Sequence, residues 1–463
     1  MFSLVSDADV HQQRATVSFN TDSIFDLMTG TFVKGFDQKW YLNGGLGPSI
    51  AGIQGRPQCF KSAFAASLSL RLSSIYDSQL IAFDSEDALT RDLDRMVRMA
   101  GDHATIINND YIVPVDAKNK YDLESMREMI RDLGEKKKAL GKDALVTTPF
   151  LDPKTNERLR VYRPSCILID SYTECFSREE ESLLTEKGLD DGRSKTLSML
   201  DSNKKTIILR NLSRYAAEYG IEIVASAHYG SKLNLDPYGA NPKFLQWSNQ
   251  NDSPKSVGSK WGFLTSPLAL VNSITKLQDD AKQCKYKLNP QTAATDLSEI
   301  IILIQRCKGN NSGVTHPFVV SQADGLLTDA TDYNYLRSNK AFGFTGNNIN
   351  HQCLFYPDTT MTRNSFRGIC QKDHKLTRAL QLAAQLCYIQ SNWSSAGWAF
   401  PMNVDPKALC DFLYSDKNKM SVDRVLNSRS YWLPDELITD ETPEYMSILD
   451  ILEFCAQNNL VKQ

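Results

Sequence analysis

Gly55-Arg56-Pro57-Gln58-Cys59-Phe60-Lys61-Ser62 is the stretch on which the reading of this chain turns. A short apolar strand, Ser49-Ile50-Ala51-Gly52-Ile53, precedes it, and a helical stretch rich in Ala, Leu and Ser follows to about Ser74. Glycine, four residues, then a residue and Lys-Ser at a helix start is the spacing of a phosphate-binding loop, except that Phe60 stands where such loops carry a second glycine. The physics asks for successive backbone N–H groups facing phosphate oxygens, a lysine reaching the terminal phosphates, and a hydroxyl on Mg²⁺. The helix N-terminus favours anions as well. Gly55, Arg56, Pro57, Gln58, Cys59, Phe60, Lys61 and Ser62 are therefore the expected nucleotide-binding residues, with ATP and Mg²⁺ as cofactors. Alone, the motif reads equally as a Lys-Ser pair that happens to start a helix.

Outward from the loop, apolar strands alternate with helices. Gln79-Leu80-Ile81-Ala82-Phe83 reads as a strand ending on Asp84, Cys166-Ile167-Leu168-Ile169 as one ending on Asp170, and Ile221 to Ala227 as one ending on His228. The helix before the last places Ile208, Leu212 and Ala216 on one face and stops at Gly220. Further strands are expected near Phe263–Thr275 and Glu299–Gln305, a charged surface helix over Lys120–Leu140, and a hairpin over Thr147–Pro164. This alternation predicts an α/β fold on a central, mostly parallel β-sheet.

Polar residues at the strand ends supply the rest of a phosphate-transfer site. Asp170 is placed to hold Mg²⁺ with Ser62; a plain acidic strand cap is the alternative. Glu86, in Asp84-Ser85-Glu86-Asp87-Ala88-Leu89, is placed to polarise an attacking water. His228 can hydrogen-bond a terminal phosphate and report it to the loop beyond, or is an ordinary polar residue. Arg306 and Lys308 offer cations for transition-state charge, in cis or on a neighbouring subunit, or are two solvated charges. The catalytic expectation is thus Glu86, His228, Arg306 and Lys308.

Tyr229–Lys260 has little periodicity and is long for a loop inside a compact core. It mixes Tyr229, Phe244 and Trp247 with Lys232, Lys243 and Lys255. Aromatic faces stack bases while lysines track phosphates, as single-strand binding needs; partly buried loop aromatics are the alternative. Arg363–Arg378 is a second basic cluster, equally a solvated surface.

Length and composition set the frame. At 463 residues more than one domain is expected, and 41% hydrophobic with 23% charged residues is ordinary globular composition. No apolar run approaches the roughly 20 residues that span a bilayer, and Met1–Gln13 lacks a leader pattern. A cytoplasmic protein with no membrane partner is expected. A net charge of −3 leaves nucleic-acid binding to local basic surface. The ten scattered cysteines lack any CxxC pair, so buried free thiols are expected rather than a metal site.

The loop, then Phe83-Asp84-Ser85-Glu86-Asp87-Ala88-Leu89, then Ile169-Asp170-Ser171, in this order, resemble the RecA-family strand-exchange recombinases, most closely the phage (UvsX-like) members, over about residues 20–330. The resemblance implies a RecA-like P-loop ATPase core with Glu86 as water-activating carboxylate and His228 as sensor. It places DNA-binding loops at Ser177–Asn203 and Tyr229–Lys260, and maps the cations that reach a neighbouring subunit's nucleotide onto Arg306 and Lys308. It implies filaments on single-stranded DNA, uptake of double-stranded DNA, and strand exchange in recombination and repair; if the chain is phage-encoded, the place is the host cytoplasm or a phage replication compartment. Phe60 departs from the family loop, and Glu179, Glu180 and Glu181 make the first DNA segment unusually acidic. Gln305-Arg306-Cys307-Lys308-Gly309 also resembles the finger region of ring-forming replicative helicases, a second reading. A nucleotide-regulated scaffold with little hydrolysis, motivated by Phe60, is a third. The domain expectation is a lead-in or oligomerisation segment over 1–42, the ATPase core over 43–335, and a mainly helical C-terminal accessory domain over 336–463. The acidic run Asp435 to Glu453 is expected to compete with DNA for basic surface.

Overall fold

The computed structural model describes residues 17–86, 91–104, 112–115, 122–180, 182, 194–231, 243–309, 311–339, 342–396, 404–415, 420–458 and 460. A short helix α1 (Ile24–Thr29) and the hairpin β1 (Thr31–Lys34) and β2 (Trp40–Asn43) lead into β3 (Ile50–Gly55), the phosphate-type loop and α2 (Lys61–Ile75). There follow β4 (Leu80–Asp84), α3 (Leu93–Met99), β5 (Ile112–Val115), α4 (Leu123–Leu140), the hairpin β6 (Leu145–Leu151) and β7 (Arg158–Tyr162), β8 (Cys166–Asp170), α5 (Ser194–Tyr219), β9 (Glu222–Ser231), β10 (Asp252–Pro254) and α6 (Trp261–Leu264). The strands β11 (Thr265–Lys276), β12 (Leu297–Arg306), β13 (Thr315–Ser321) and β14 (Gly325–Leu327) end in α7 (Thr328–Asn339).

One sheet has the order β14-β13-β12-β11-β3-β9-β8-β4-β5, with β10 paired to β9. From β11 to β5 every pairing is parallel, whereas β11-β12, β12-β13, β13-β14 and β9-β10 are antiparallel. The expected α/β architecture with a mostly parallel sheet is therefore present. β3 and β8 are buried at every residue, as central parallel strands covered on both faces must be. One face sends Ala51, Ile53 and Leu168 toward the apolar residues of α2; the other packs Ile167, Ile169 and Ala225 with Met126, Ile130 and Leu212 of α4 and α5. Gly134 of α4 lets the helices approach, because a Cβ there would enter the Tyr219 ring. Within the expected Lys120–Leu140 segment, α4 thus packs one face and leaves the other wet.

Two boundaries differ from the sequence reading. α5 starts at Ser194, so the C-terminal part of Ser177–Asn203 is helix rather than loop; residues 183–193 lie outside the described residues. β9 continues to Ser231, because β10 offers it a new partner where β8 has ended, so His228 sits inside the strand. Beyond residue 336 a small antiparallel sheet of β15 (Phe344–Gly346), β16 (His351–Cys353) and β17 (Tyr356–Met361) accompanies the helices. The helices α8 (Phe366–Cys370), α9 (His374–Ala396), α10 (Pro406–Leu413), α11 (Val422–Leu426) and α12 (Ile448–Gln457) follow it. Among the described residues no helix is long and apolar enough to cross a membrane. All ten cysteines are free, and all but Cys307 are buried.

The C-terminal part packs on the lead-in. Trp432 is fully buried, with its ring centroid 5.2 Å from Phe19, 5.6 Å from Tyr76 and 5.3 Å from Phe150. The acidic run is not a free competitor for DNA, which corrects the expectation. Asp435 pairs with Arg158 at 2.6 Å, Glu436 accepts the Thr147 N–H at 2.9 Å, and Glu444 pairs with Lys39 at 2.9 Å. Asp450 accepts the Trp40 N–H at 2.8 Å, and Glu453 pairs with Lys34 at 2.9 Å. Glu444, Asp450 and Glu453 thus join the C-terminal part to residues 34–40, and Asp435 and Glu436 join it to the β6–β7 hairpin.

His316 on β13 is fully buried, its ring centroid 4.4 Å from that of Tyr335 and 5.3 Å from that of Phe318, and burial pushes its pKa down from 6.5 to about 3. The unfolded chain takes up a proton below 6.5 that the folded chain refuses until about 3. The stability that neutral His316 gives is full above 6.5 and is lost as pH falls toward 3. In urea titrations between pH 7 and 5, His316→Leu is expected to lose stability less steeply than wild type, by about 1.4 kcal/mol per pH unit below 6.5. Parallel slopes would contradict this.

Candidate functional site

β3 delivers Gly55 into the loop, and a Cβ on Gly55 would fall on Cys59 Sγ, so only glycine lets the loop curl back over its strand. Gln58 and Phe60 have φ of 59° and 64°, in the left-handed region. A non-glycine residue there costs about 1–2 kcal/mol. The loop has therefore answered the loss of its second glycine with strain: Phe60 takes a backbone shape that glycine adopts freely. The Phe60 carbonyl accepts the Phe64 N–H at 2.9 Å and α2 begins at Lys61.

The first residues of α2 face β8. Ser62 Oγ donates to Asp170 Oδ1 at 2.9 Å, and Ser226 Oγ of β9 donates to the same oxygen. Asp170 Oδ2 is buried with no hydrogen-bond partner among the described residues. Burial pushes the Asp170 carboxyl up to about 6, against the bonds from Ser226 and Ser62; the Glu86 charge raises it further and Lys61 opposes that. A raised carboxyl pKa means a cost of holding the charge, about 3 kcal/mol at full ionisation, present above pH 6 and relieved as pH falls toward 3.8. An orphaned carboxylate oxygen beside a hydroxyl is a hard oxygen donor set. Ser62 and Asp170 therefore fit a divalent cation such as Mg²⁺.

The ends of β4 and β8 are tied together. Ser85 N–H donates to Asp170 O at 2.7 Å, and Ser171 N–H donates to Ser85 Oγ at 2.8 Å. This brings Glu86 next to β9, where His228 pairs across from Gly55 of the loop strand. His228 Nε2 lies 3.2 Å from Glu86 Oε1 and 3.6 Å from Glu174 Oε1. Glu174 was not among the residues expected from sequence; the available signal was a carboxylate four residues beyond Asp170. Asp87 to Leu89 lie outside the described residues.

Arg306 and Lys308 are not at this site. Arg306 pairs with Leu268, which pairs with Gly52, three residues before the loop and about 10 Å back along the strand. Its guanidinium points away, donating to the carbonyls of Gly262 at 2.9 Å, Phe263, and Thr265 at 3.3 Å. Antiparallel pairing of β12 puts its C-terminus at the opposite end of the sheet, so Arg306 does not serve its own loop. Lys308 is exposed beside it, its N–H on Ser266 Oγ at 3.1 Å.

The expected DNA-binding residues separate. Tyr229 is buried, 3% exposed, and offers no ring face to a base. Lys255 donates its N–H to His228 O at 2.9 Å and its ammonium to Ser231 O. Lys232 lies outside the described residues. Lys243 is exposed; Phe244 is half-buried, packed where a Cβ on Gly262 would stand 2.6 Å from it. Trp247 is 44% exposed and lies over Gly313. Trp247 and Phe244 thus share the Arg306 end of the sheet with exposed Phe263 and Lys260.

Polar links join this segment to the phosphate-type loop. Gln54, the residue before Gly55, donates to Gln305 and accepts the Trp261 Nε1–H at 3.1 Å. Gln305 in turn donates to Ser248 Oγ at 3.1 Å and Trp247 O at 3.4 Å. Arg56 lies 3.6 Å from Asp252. β3 stops at Gly55 while β9 and β11 run on, which leaves a cavity of about 240 Å³ lined by Arg56, Cys59, Tyr229, Asp252 and Val271.

No family profile and no curated protein matches the sequence. A solved structure titled as that of a DnaB-like replicative helicase and its interactions with primase is similar in structure at 13% identity and a TM-score of 0.34, over 62% of this chain and 60% of that one. The match thus spans less than two thirds of that protein's chain.

If Ser62 and Asp170 hold the cation, Asp170→Asn is expected to abolish the Mg²⁺ dependence of ATP binding in titrations with a fluorescent analogue. Undiminished Mg²⁺ enhancement in the variant would remove Asp170 from the metal site.

Proposed function

We propose that this chain is a DNA-binding ATPase with a RecA-like core, which assembles head to tail on single-stranded DNA and promotes strand exchange. The observation that carries the hydrolytic part is the convergence of Ser62, Asp170, Glu86 and His228 at the loop end of adjacent parallel strands. Lys61 and the N–H groups of residues 58–62 hold the terminal phosphates of ATP, and Ser62 with Asp170 holds Mg²⁺, which supplies neutralising charge there when bound. Glu86 accepts a proton from water as the water oxygen bonds the terminal phosphorus, and the electron pair of the broken phosphorus–oxygen bond leaves with ADP. His228 lies within hydrogen-bond range of Glu86 and on the strand that carries Thr173 and Lys255 contacts, which suits it to couple nucleotide state to the segment beyond.

The position of Arg306 supports assembly. A cation that cannot reach its own loop is useful to the nucleotide of a neighbour, and a repeated head-to-tail contact gives a filament or a ring. Exposed Trp247 with Lys243 supports contact with single-stranded DNA, and double-stranded DNA would be the second strand source. The recombinase reading, with recombination and repair as its setting and a cytoplasmic location, is preferred on the Asp84–Leu89 segment; a ring-forming helicase is the other outcome.

The test is twofold. Glu86→Gln is expected to lower single-strand-stimulated ATP hydrolysis about a hundredfold or more while nucleotide binding persists. Electron microscopy with single-stranded DNA and a non-hydrolysable ATP analogue is expected to show continuous filaments. Closed six-membered rings would replace the recombinase reading by the helicase one, and full activity in Glu86→Gln would overturn the assignment of the water-activating group.

A further inference from the structure

His228 directs one N–H toward two carboxylates. Its Nδ1 is buried with no hydrogen-bond partner among the described residues. A buried unbonded N–H is costlier than an unbonded lone pair, so the neutral ring carries its proton on Nε2. That single hydrogen meets Glu86 Oε1 at 3.2 Å and Glu174 Oε1 at 3.6 Å from the nitrogen. It can serve one of them well at a time.

Both carboxylates are carried by the joined ends of β4 and β8. Glu174 belongs to a turn fixed to β9: Tyr172 N–H donates to Ser226 O at 2.9 Å, and His228 N–H donates to Thr173 Oγ1 at 2.9 Å. Lys205 Nζ donates to Thr173 O at 2.8 Å, and Glu174 N–H donates to Ser171 O at 3.2 Å. Glu174 and His228 therefore keep their spacing, with the Glu174 carboxylate half in solvent. Glu86 follows Ser85 at the end of β4, and Ser85 is bonded to Asp170 O and to Ser171, so it too stands close to the His228 ring.

A carboxylate that accepts an N–H is a weaker base than a free one. Resting on the hydrolytic reading above, we propose that Glu174 is a positioning residue for ATP hydrolysis: it takes the His228 N–H from Glu86, leaving Glu86 free to accept the proton of the attacking water. The fixed turn makes Glu174 the standing alternative partner, and exchange of one hydrogen bond switches Glu86 between occupied and free. The occupied arrangement, at the shorter distance, is the restrained one.

The experiment is steady-state ATP hydrolysis with single-stranded DNA, alongside equilibrium nucleotide binding, on the full chain. Glu174→Ala is expected to lower kcat about tenfold, the loss of one charge-assisted hydrogen bond, with KM and nucleotide affinity unchanged. Glu174→Gln keeps an oxygen that accepts the N–H, so its kcat is expected to stay within about threefold of wild type. In a His228→Ala background, Glu174→Ala is expected to cost nothing further, since its effect passes through the imidazole. A wild-type kcat in Glu174→Ala, or an equal loss with and without His228, overturns the role of Glu174 alone. A wild-type chain that binds ATP and never hydrolyses it overturns the hydrolytic reading, and this inference with it.

Discussion

The hydrogen bonds onto Asp170 Oδ1 are the constraint on which the rest of the site depends. One comes from Ser62 at the start of α2, the other from Ser226 on β9, so a single oxygen ties the phosphate-type loop, β8 and β9 to one point. The carboxylate is fully buried, and burial lifts its pKa toward 6, so the fold carries a desolvation cost at neutral pH. The second carboxylate oxygen has no hydrogen-bond partner among the described residues, and a buried oxygen of this kind beside Ser62 suits a hard cation.

From that point order spreads along the strand ends. The Ser85–Ser171 bonds hold β4 to β8 and fix where Glu86 leaves the sheet. The turn after Asp170 grips β9 through Tyr172 and Thr173, which sets Glu174 against His228. On the other side of the loop strand, Gln54, Gln305 and Ser248 form a buried polar chain to the Trp247 segment. That chain runs from the residue before Gly55 to the backbone of Trp247. The loop strand and the Trp247 segment are thereby hydrogen-bonded to each other.

Much of this was legible in the sequence, and the limits are physical. The apolar runs of β3, β4 and β8 are continuous because those strands are covered on both faces, so the sheet and the strand-end residues Asp170 and Glu86 could be read from pattern. Phe60 was visible as a departure, but only its left-handed φ explains how the loop tolerates it. Glu174 was hidden because its meaning depends on His228, which tertiary structure brings alongside. The end of β9 was misjudged since β10, which extends it, comes from a segment without periodicity. Arg306 needed strand register before its distance from the loop could be known. The acidic run met partners such as Lys34 across most of the chain's length, a pairing that no local pattern encodes.

Everything proposed for the site requires Gly55–Ser62 to bind phosphate despite Phe60. Equilibrium titration of wild type and Lys61→Ala with a fluorescent ATP analogue, with and without Mg²⁺, tests it most directly. Saturable, Mg²⁺-enhanced binding by wild type is expected, with an affinity lower by about tenfold or more in Lys61→Ala. Equal binding by the two proteins, or none by wild type, would contradict it.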